Sequence, residues 1–380
     1  MRIYLDHNAS APLRPEVRAA MIDALGATGN PSSAHREGAH ARMLVERARA
    51  EVAALVGGEP SEVIFTSGAT EANNLALRGT LAASGRRGLV TTAIEHASVL
   101  ETARELAAGG APLAVVGVDA EGHVAVADVT AACTADTALV SVGLANGEVG
   151  SVAPVAAIAA GLAGRGLVVH TDAAQAAGRL PIDTGGLGVD LLSLSAHKLG
   201  GPTGVGALWA RRGCALRAQS TGGSQERRRR AGTENVAGIV GFGVAAQLAR
   251  AELAAAGSRM AALRDRLWEG LRAALPDIVR NGPAGEPRLP NTLNVTVPRC
   301  EGESLLVLLD LEGVAASLGS ACAAGGAEPS HVLRAMGRSE AEARSGLRLS
   351  LGPATTDAEI DRVVAVVPRL VAQIRRGAAA

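Results

Sequence analysis

The chain has 380 residues, a mass of 38.1 kDa and a formal net charge of zero, 37 basic residues balancing 37 acidic ones. Hydrophobic residues make up 48 % and aromatics only 1 %, so the core must be built from Ala, Val and Leu, and neutrality argues against nucleic acid or an anionic membrane as main partner. No run reaches the ~18 uncharged apolar residues expected of a membrane helix.

At this size roughly three quarters of the unfolded surface can be buried, enough for two domains. The opening Met1-Arg-Ile-Tyr-Leu-Asp6 meets an acid too early for a secretory signal, so a cytoplasmic protein is expected. From about residue 16 to 250, short β-branched runs alternate with Ala-rich helical stretches. Candidate strands lie at 63–66, 89–93, 114–118, 138–142, 167–171, 191–194 and 206–210. Several are apolar on both faces, as in a mostly parallel sheet covered on each side, and the alternation predicts a doubly wound α/β domain over 16–250. A long amphipathic helix follows at about 245–275, with a break expected at Gly257-Ser258. After a Pro/Gly-rich stretch at 281–287 come a strand at 292–297, a helix after Glu303, a loop at 319–328 and a strand at 347–350. The capping-box pattern Thr356-Asp-Ala-Glu359 opens a last helix. Together with residues 1–15, residues 251–380 predict a smaller α+β domain. The arginine run at 227–230 reads as a solvated loop.

Four cysteines, Cys133, Cys214, Cys300 and Cys322, stand far apart with no CxxC or Cys/His cluster. Neither a zinc site nor a disulfide framework is expected. Cys133 fits a small buried thiol in an Ala-rich helix, and Cys214 and Cys300 look incidental. Cys322 lies in Gly319-Ser-Ala-Cys-Ala-Ala-Gly-Gly326, where small residues put little steric hindrance on a swing, and a thiol is a strong nucleophile at neutral pH.

Lys198 is the only lysine in the sequence. A position that keeps Lys under such a bias toward Arg is expected to need an amine that can lose its proton and attack a carbon. The chemistry most dependent on such an amine is a Schiff base, and the commonest carbonyl cofactor is pyridoxal 5'-phosphate (PLP). A leftover surface lysine is the plain alternative. In an open α/β sheet, ligands collect beyond the carboxyl ends of the strands, and polar residues sit at those ends here. The turn around Gly68, Ala69 and Thr70 offers backbone N–H groups to a phosphate. His96 could stack on a flat ring or move protons. Asn146 could donate to a ring oxygen, and Gln175 stands one turn beyond Asp172. Asp172 could keep a pyridine nitrogen protonated. Ser195 and His197 flank the lysine and can donate to a phosphate. A phosphate turn followed by His, Asn, Asp, Gln and Ser-x-His-Lys, each beyond its own strand, argues for PLP.

At these residues the sequence resembles the cysteine desulfurases of the NifS/IscS family, in the class V aminotransferase group of fold-type I PLP enzymes. The motifs are Tyr4-Leu-Asp-His-Asn-Ala9, Gly29-Asn-Pro-Ser-Ser33, Thr66-Ser-Gly-Ala-Thr-Glu71, Glu95-His96, Asp172-Ala-Ala-Gln175, Ser195-Ala-His-Lys198, Arg230-Ala-Gly-Thr-Glu-Asn235, Gly319-Ser-Ala-Cys322 and Arg348-Leu-Ser-Leu-Gly352. The resemblance implies a fold-type I PLP-dependent transferase with a seven-stranded, mostly parallel sheet and a smaller α+β C-terminal domain. It implies that Lys198 carries the cofactor, Asp172 pairs with the pyridinium, His96 stacks on the ring, and Gln175 and Asn146 face its hydroxyl. Ala69, Thr70, Ser195 and His197 would hold the phosphate, with Thr233 reaching in from the second subunit of a homodimer. Arg348, with Asn8, would bind the substrate carboxylate, and Cys322 would be the nucleophile.

The implied activity is conversion of L-cysteine to L-alanine, leaving the sulfur as a persulfide on Cys322 for an iron–sulfur scaffold or another sulfur carrier. His96 is the candidate acid/base for the thiol proton. Rivals are an aminotransferase or a selenocysteine or sulfinate lyase of the same fold, an inactive sulfur-carrier platform, and nucleic-acid binding through residues 227–230, which the dearth of aromatics disfavours. The chain departs from the pattern at Gly147, where Asn is common, at Ser224 in Thr221-Gly-Gly-Ser224, and at Leu318 in place of a Ser. The longer tail with which some relatives dock a scaffold is not expected.

Overall fold

The computed structural model describes residues 2–319 and 328–377. After the short strand β1 (Ile3–Tyr4), helices α1 (Pro15–Leu25) and α2 (Arg36–Leu55) lead into an alternating series. It runs β2 (Val63–Thr66), α3 (Ala69–Ala83), β3 (Gly88–Thr92), α4 (Ala97–Ala108), β4 (Leu113–Val116), α5 (Val126–Ala132) and β5 (Thr137–Ser141). Then come α6 (Val155–Leu162), β6 (Val168–Asp172), α7 (Thr184–Leu187), β7 (Leu191–Ser195) and β8 (Gly206–Ala210). These form one seven-stranded sheet in the order β2-β8-β7-β6-β5-β3-β4. All neighbours are parallel except β8, which runs against both β2 and β7. Strands β2, β3, β5, β7 and β8 are buried at every position, as helices on both faces of a parallel sheet require. The expected doubly wound sheet is present, and each of its seven strands lies within two residues of the range read from the sequence.

Helix α8 (Val236–Ala274) is one uninterrupted element of 39 residues. The break expected at Gly257-Ser258 does not occur. A helix-interior glycine costs only about 1 kcal/mol relative to alanine, and strong helix formers flank it on both sides. By length and composition α8 is long and apolar enough to cross a membrane; here it packs against α1, α2 and α12. The approach to α2 is close: a Cβ on Gly243 would stand 2.6 Å from Ala48 Cα.

The remaining elements are β9 (Val279–Asn281), β10 (Thr292–Thr296), α9 (Gly302–Leu311), β11 (Val314–Ala315), α10 (His331–Ala335), α11 (Glu340–Arg344), β12 (Gly346–Ser350) and α12 (Asp357–Gly377). An antiparallel sheet forms in the order β12-β10-β9, and β1 pairs in parallel with β11. The capping box at the start of α12 is present, with Thr356 N–H donating to Glu359 and Glu359 N–H to Thr356 Oγ1. Ile3 and Leu5 join Leu263, Leu267, Val295, Leu349, Val363 and Val367 in a second apolar core. The first core lies between sheet and helices and takes Ile239, Phe242 and Ala246 from α8. Cys300 is buried in the second core and so has a packing role, correcting its reading as incidental. Cys133 follows α5 and its thiol contacts Val129 O at 3.2 Å.

Candidate active site

The carboxyl ends of β2, β3, β5, β6 and β7 open onto one cavity of about 480 Å³, closed from the other side by the N-terminal segment and β12. It is lined by Ala69, Thr70, His96, Asn146, Asp172, Gln175, Ser195, His197, Lys198, Asn8 and Arg348, together with Thr203 and Gly204. Eleven residues singled out in the sequence are thus brought together. Thr233 is exposed and is not among the residues lining the cavity of its own chain. Cys322 lies outside the described residues.

At one end, α3 begins directly after β2, leaving the first N–H groups of the helix without intrahelical acceptors. The turn is held by Ser67 N–H donating to Glu71 Oε2 at 2.6 Å, while Arg230 pairs with the same carboxylate at 2.9 Å. Gly206 of β8 allows this turn to sit against the sheet, since a Cβ there would meet Gly68 Cα at 2.6 Å. Ser195 ends β7, and His197 stands in the following 3-10 turn with Nδ1 3.2 Å from Ser10 Oγ. A helix N-terminus beside hydroxyl and imidazole donors suits a phosphate.

Lys198 shares that turn. Its Nζ donates to Asn8 O at 2.6 Å and Ala9 O at 3.0 Å. Burial, with help from the cations Arg179 and Arg348, pushes its pKa down to about 8, so a useful fraction of neutral amine exists near neutral pH. Arg179 itself is buried and, among the described residues, reaches only oxygens of uncharged groups, donating to Gln175 O and Oε1 at 2.8 Å each and to His7 O at 3.4 Å. Sequence reading missed it.

Asp172 ends β6. Its Oδ1 accepts from Ala174 N–H at 2.9 Å and its Oδ2 from Asn73 Nδ2 at 2.7 Å. Behind it, the fully buried His170 bonds Ser141 Oγ at 2.8 Å and Ser193 Oγ at 3.0 Å, and burial drives its pKa down to about 4. The Asp172 charge therefore has no buried cation directly behind it on its strand. His96 caps α4, with Nδ1 accepting from Ser98 N–H at 3.1 Å. Burial again lowers its pKa, Asp172 opposes the shift, and Lys198 and His331 add to it. Glu95 beside it accepts from Thr92 Oγ1 at 2.6 Å and from Gly143 N–H at 3.0 Å, and burial raises it to about 7.

Two predicted contacts are engaged elsewhere. Asn146 Oδ1 accepts from the N–H groups of Glu148 and Val149, and its Nδ2 donates to Ile94 O at 2.9 Å, leaving one amide hydrogen. The amide of Asn8 donates to Gly147 O and Thr292 Oγ1 at 2.8 Å each and accepts from Asn291 at 2.9 Å. What Asn8 offers the lysine is its carbonyl. Arg348 donates from Nη2 to Asp6 Oδ1 at 2.8 Å, while its Nε is buried without a partner among the described residues. That orphaned donor is an open position for a carboxylate oxygen. His331 and Glu148 also line the cavity and were missed. Burial raises the Glu148 carboxyl pKa, against the opposing hydrogen bond from Ser330.

The donor set fits PLP: a nucleophilic amine, a carboxylate for a protonated ring nitrogen, and a helix N-terminus with polar neighbours for a phosphate, around a space large enough for a small cofactor.

Residues 3–363 match the family "Aminotransferase class-V". Over 375 residues the chain is 44 % identical to "Cysteine desulfurase 2" of Trichormus variabilis, covering 98 % of this chain and 94 % of that one. The solved structure of a "NIFS-LIKE PROTEIN" superposes with a TM-score of 0.92 at 36 % identity, covering 98 % of this chain and all 100 % of the other. The structure titled "SspA in complex with cysteine" has a TM-score of 0.82 at 34 % identity and covers 94 % of this chain and 100 % of its own.

Proposed function

Given that this chain belongs to the class-V aminotransferase family, among the NifS/IscS-type cysteine desulfurases, we propose that its cavity converts L-cysteine to L-alanine with PLP and hands the sulfur to Cys322 as a persulfide. The observation that carries the reading is Lys198, the sole lysine, in a cavity where its pKa falls to about 8. Bound there, the cofactor supplies a carbonyl for the amine and an electron sink for charge generated at the substrate Cα. Lys198, Asp172, Ala69, Thr70, Ser195 and His197 would hold it, with Gln175, Asn146 and His96 around the ring.

Arg348 receives the substrate carboxylate, its buried Nε having no partner among the described residues. Lys198 Nζ moves the proton at the substrate Cα, for which a pKa near the working pH is the favourable setting. The Cys322 thiolate then attacks the substrate sulfur. An S–S bond forms, the C–S bond breaks with its electron pair passing to the carbon side, and protonation there yields alanine. In sum, L-cysteine and the enzyme thiol become L-alanine and the enzyme persulfide.

The active unit is read as a homodimer. Thr233 is exposed, outside its own chain's cavity, and free to serve a neighbouring one. Leu13, Ile22, Leu25 and Met43, on and beside α1 and α2, are exposed apolar side chains that a second copy would cover. The persulfide is read as feeding a protein acceptor, an iron–sulfur scaffold or another sulfur carrier.

The test is alanine production without a keto-acid acceptor. Lys198→Arg is expected to abolish it, because a guanidinium cannot attack the carbonyl. Borohydride reduction of the holoprotein should fix the cofactor to one peptide, the one containing Lys198. Normal alanine production by Lys198→Arg would overturn the reading.

A further inference from the structure

Asp172 and His96 are joined by a buried chain of hydrogen bonds through Asn73 and Ser98, two residues with no part in the mechanism above. Asn73, on α3, is fully buried, and Ser98, in the first turn of α4, is nearly so. Asn73 Nδ2 lies 2.7 Å from Asp172 Oδ2 and 2.8 Å from Ser98 Oγ. Ser98 Oγ lies 2.8 Å from His96 Nδ1.

The chemistry of each group allows one assignment of the protons. An ionised carboxylate only accepts, so the atom of Asn73 facing Asp172 must be the amide nitrogen; the reverse orientation would set Oδ1 against the carboxylate. In that orientation Asn73 Oδ1 is buried without a partner among the described residues. The same NH2 group donates its other hydrogen to Ser98 Oγ, which is thereby an acceptor, and the serine hydroxyl hydrogen is free to point onward to His96 Nδ1. The backbone N–H of Ser98 donates to that nitrogen as well, at 3.1 Å. Two donors converge on Nδ1, so it must present its lone pair, and the single proton of the neutral ring belongs on Nε2. A protonated ring would turn Nδ1–H against the backbone N–H at the start of α4, where the helix dipole also disfavours a cation.

We propose that Asn73 and Ser98 are positioning residues that hold His96 as a neutral imidazole with its proton on Nε2, so that His96 serves the cavity as a hydrogen-bond donor and not as a proton acceptor at that nitrogen. Nε2 is the ring nitrogen left for the cavity that His96 lines. Placing a neutral imidazole at a helix N-terminus to polarise a reacting group, without taking up charge, is a known use of histidine. This revises the part foreseen for His96, since a ring with its lone pair committed at Nδ1 cannot take the substrate thiol proton through Nε2. The proposal rests on the desulfurase reading only for what the donor serves.

The test is the tautomer of His96 in holoprotein labelled with 15N-histidine, its signals assigned by their loss in His96→Gln. The expected result is a pyridine-like Nδ1 and a pyrrole-like Nε2 at neutral pH. A pyrrole-like Nδ1, or two pyrrole-like nitrogens, overturns the proposal. Glu95, Asp172, His197, Lys198 and His331 are the titratable groups around the ring, and Ser98→Ala leaves all five in place. Removing a donor that only the neutral ring can use should move the His96 titration upward by roughly half a unit to one unit, whereas Ser98→Thr should titrate as the parent does. An unchanged titration in Ser98→Ala, or no rescue by Thr, overturns the part given to Ser98; an unchanged Nδ1 signal in Asn73→Ala overturns that of Asn73. The tautomer is read whether or not alanine is formed, so failure of this proposal and failure of the desulfurase reading are separate results.

Discussion

Gly147 and Gln175 compete for one space: a Cβ on residue 147 would stand 2.4 Å from Gln175 Cδ and 2.6 Å from its Nε2. The glutamine fills the volume that a side chain at 147 would need. It is held there by donating to Asn8 O at 3.0 Å and accepting from Arg179 at 2.8 Å. The departure at Gly147 is therefore coupled to the position of Gln175, Asn8 and, through Asn8 O, Lys198.

Gly147→Asn is accordingly expected to push Gln175 out of place and to destabilise the protein by about 1–3 kcal/mol, the usual penalty for overpacking. Weakened cofactor retention should accompany the loss. Adding Gln175→Ala should restore most of the stability in thermal unfolding. Simple additivity of the two losses would show that the residues do not share the space.

A second expectation concerns Arg179, a buried cation with no carboxylate in ion-pair reach among the described residues. A like charge disfavours the protonated amine, so Arg179 lowers the pKa of Lys198, which stands at about 8. Removing the charge must raise it. Arg179→Met should shift the pH at which cofactor attachment is half-maximally fast upward by roughly half a unit or more, followed by absorbance after mixing with PLP. Arg179→Lys should leave the midpoint near that of the parent, and an unmoved midpoint in both variants would rule the effect out.

The sheet was legible because its strands carry their own signature, apolar on both faces and punctuated by helices, and Lys198 was legible because of the bias against lysine. Asn73 and Ser98 were not. Each sits on a helix among ordinary polar residues, and only the packing of α3 and α4 shows that they meet between Asp172 and His96. Asn73 gave one faint sign, an amide on the same helix face as Ala72, Ala76 and Thr80, all buried. The strands Ile3–Tyr4, Val279–Asn281 and Val314–Ala315 are too short for a periodicity, and their pairing depends on distant partners. Gly257 reads as a helix stop and is not one for the converse reason: local propensity is weak against the packing of a helix along its length.

The proposed homodimer predicts complementation. A Lys198→Ala subunit and a Thr233→Ala subunit should each be inactive as homodimers. Mixed, they should recover partial activity, because one of the two sites then keeps both residues. Sedimentation of the parent should give a dimer, and a fully active monomer would exclude the arrangement.

The last expectation turns on Asp6 and Arg348. The guanidinium is almost fully buried and its ion pair to Asp6 measures 2.8 Å, with the carboxylate somewhat exposed. Without substrate, Asp6 supplies the negative charge that a buried cation needs; with it, the substrate carboxylate can share or take over that duty. Asp6→Asn should thus have two opposite effects. Leaving a buried charge uncompensated should destabilise the substrate-free protein by roughly 1–3 kcal/mol, less than for a fully buried pair because Asp6 is partly in water. The concentration of cysteine giving half-maximal rate should fall, because the arginine no longer has a competing partner, and cysteine should stabilise the variant more than it stabilises the parent. Arg348→Ala should do the reverse, raising the half-saturating concentration by one to two orders of magnitude, about the 1.5–3 kcal/mol of a charge-assisted hydrogen bond. If Asp6→Asn left the half-saturating concentration unchanged and Arg348→Ala did the same, Arg348 would be a structural cation of the β12 strand, and the carboxylate would be held elsewhere in the cavity.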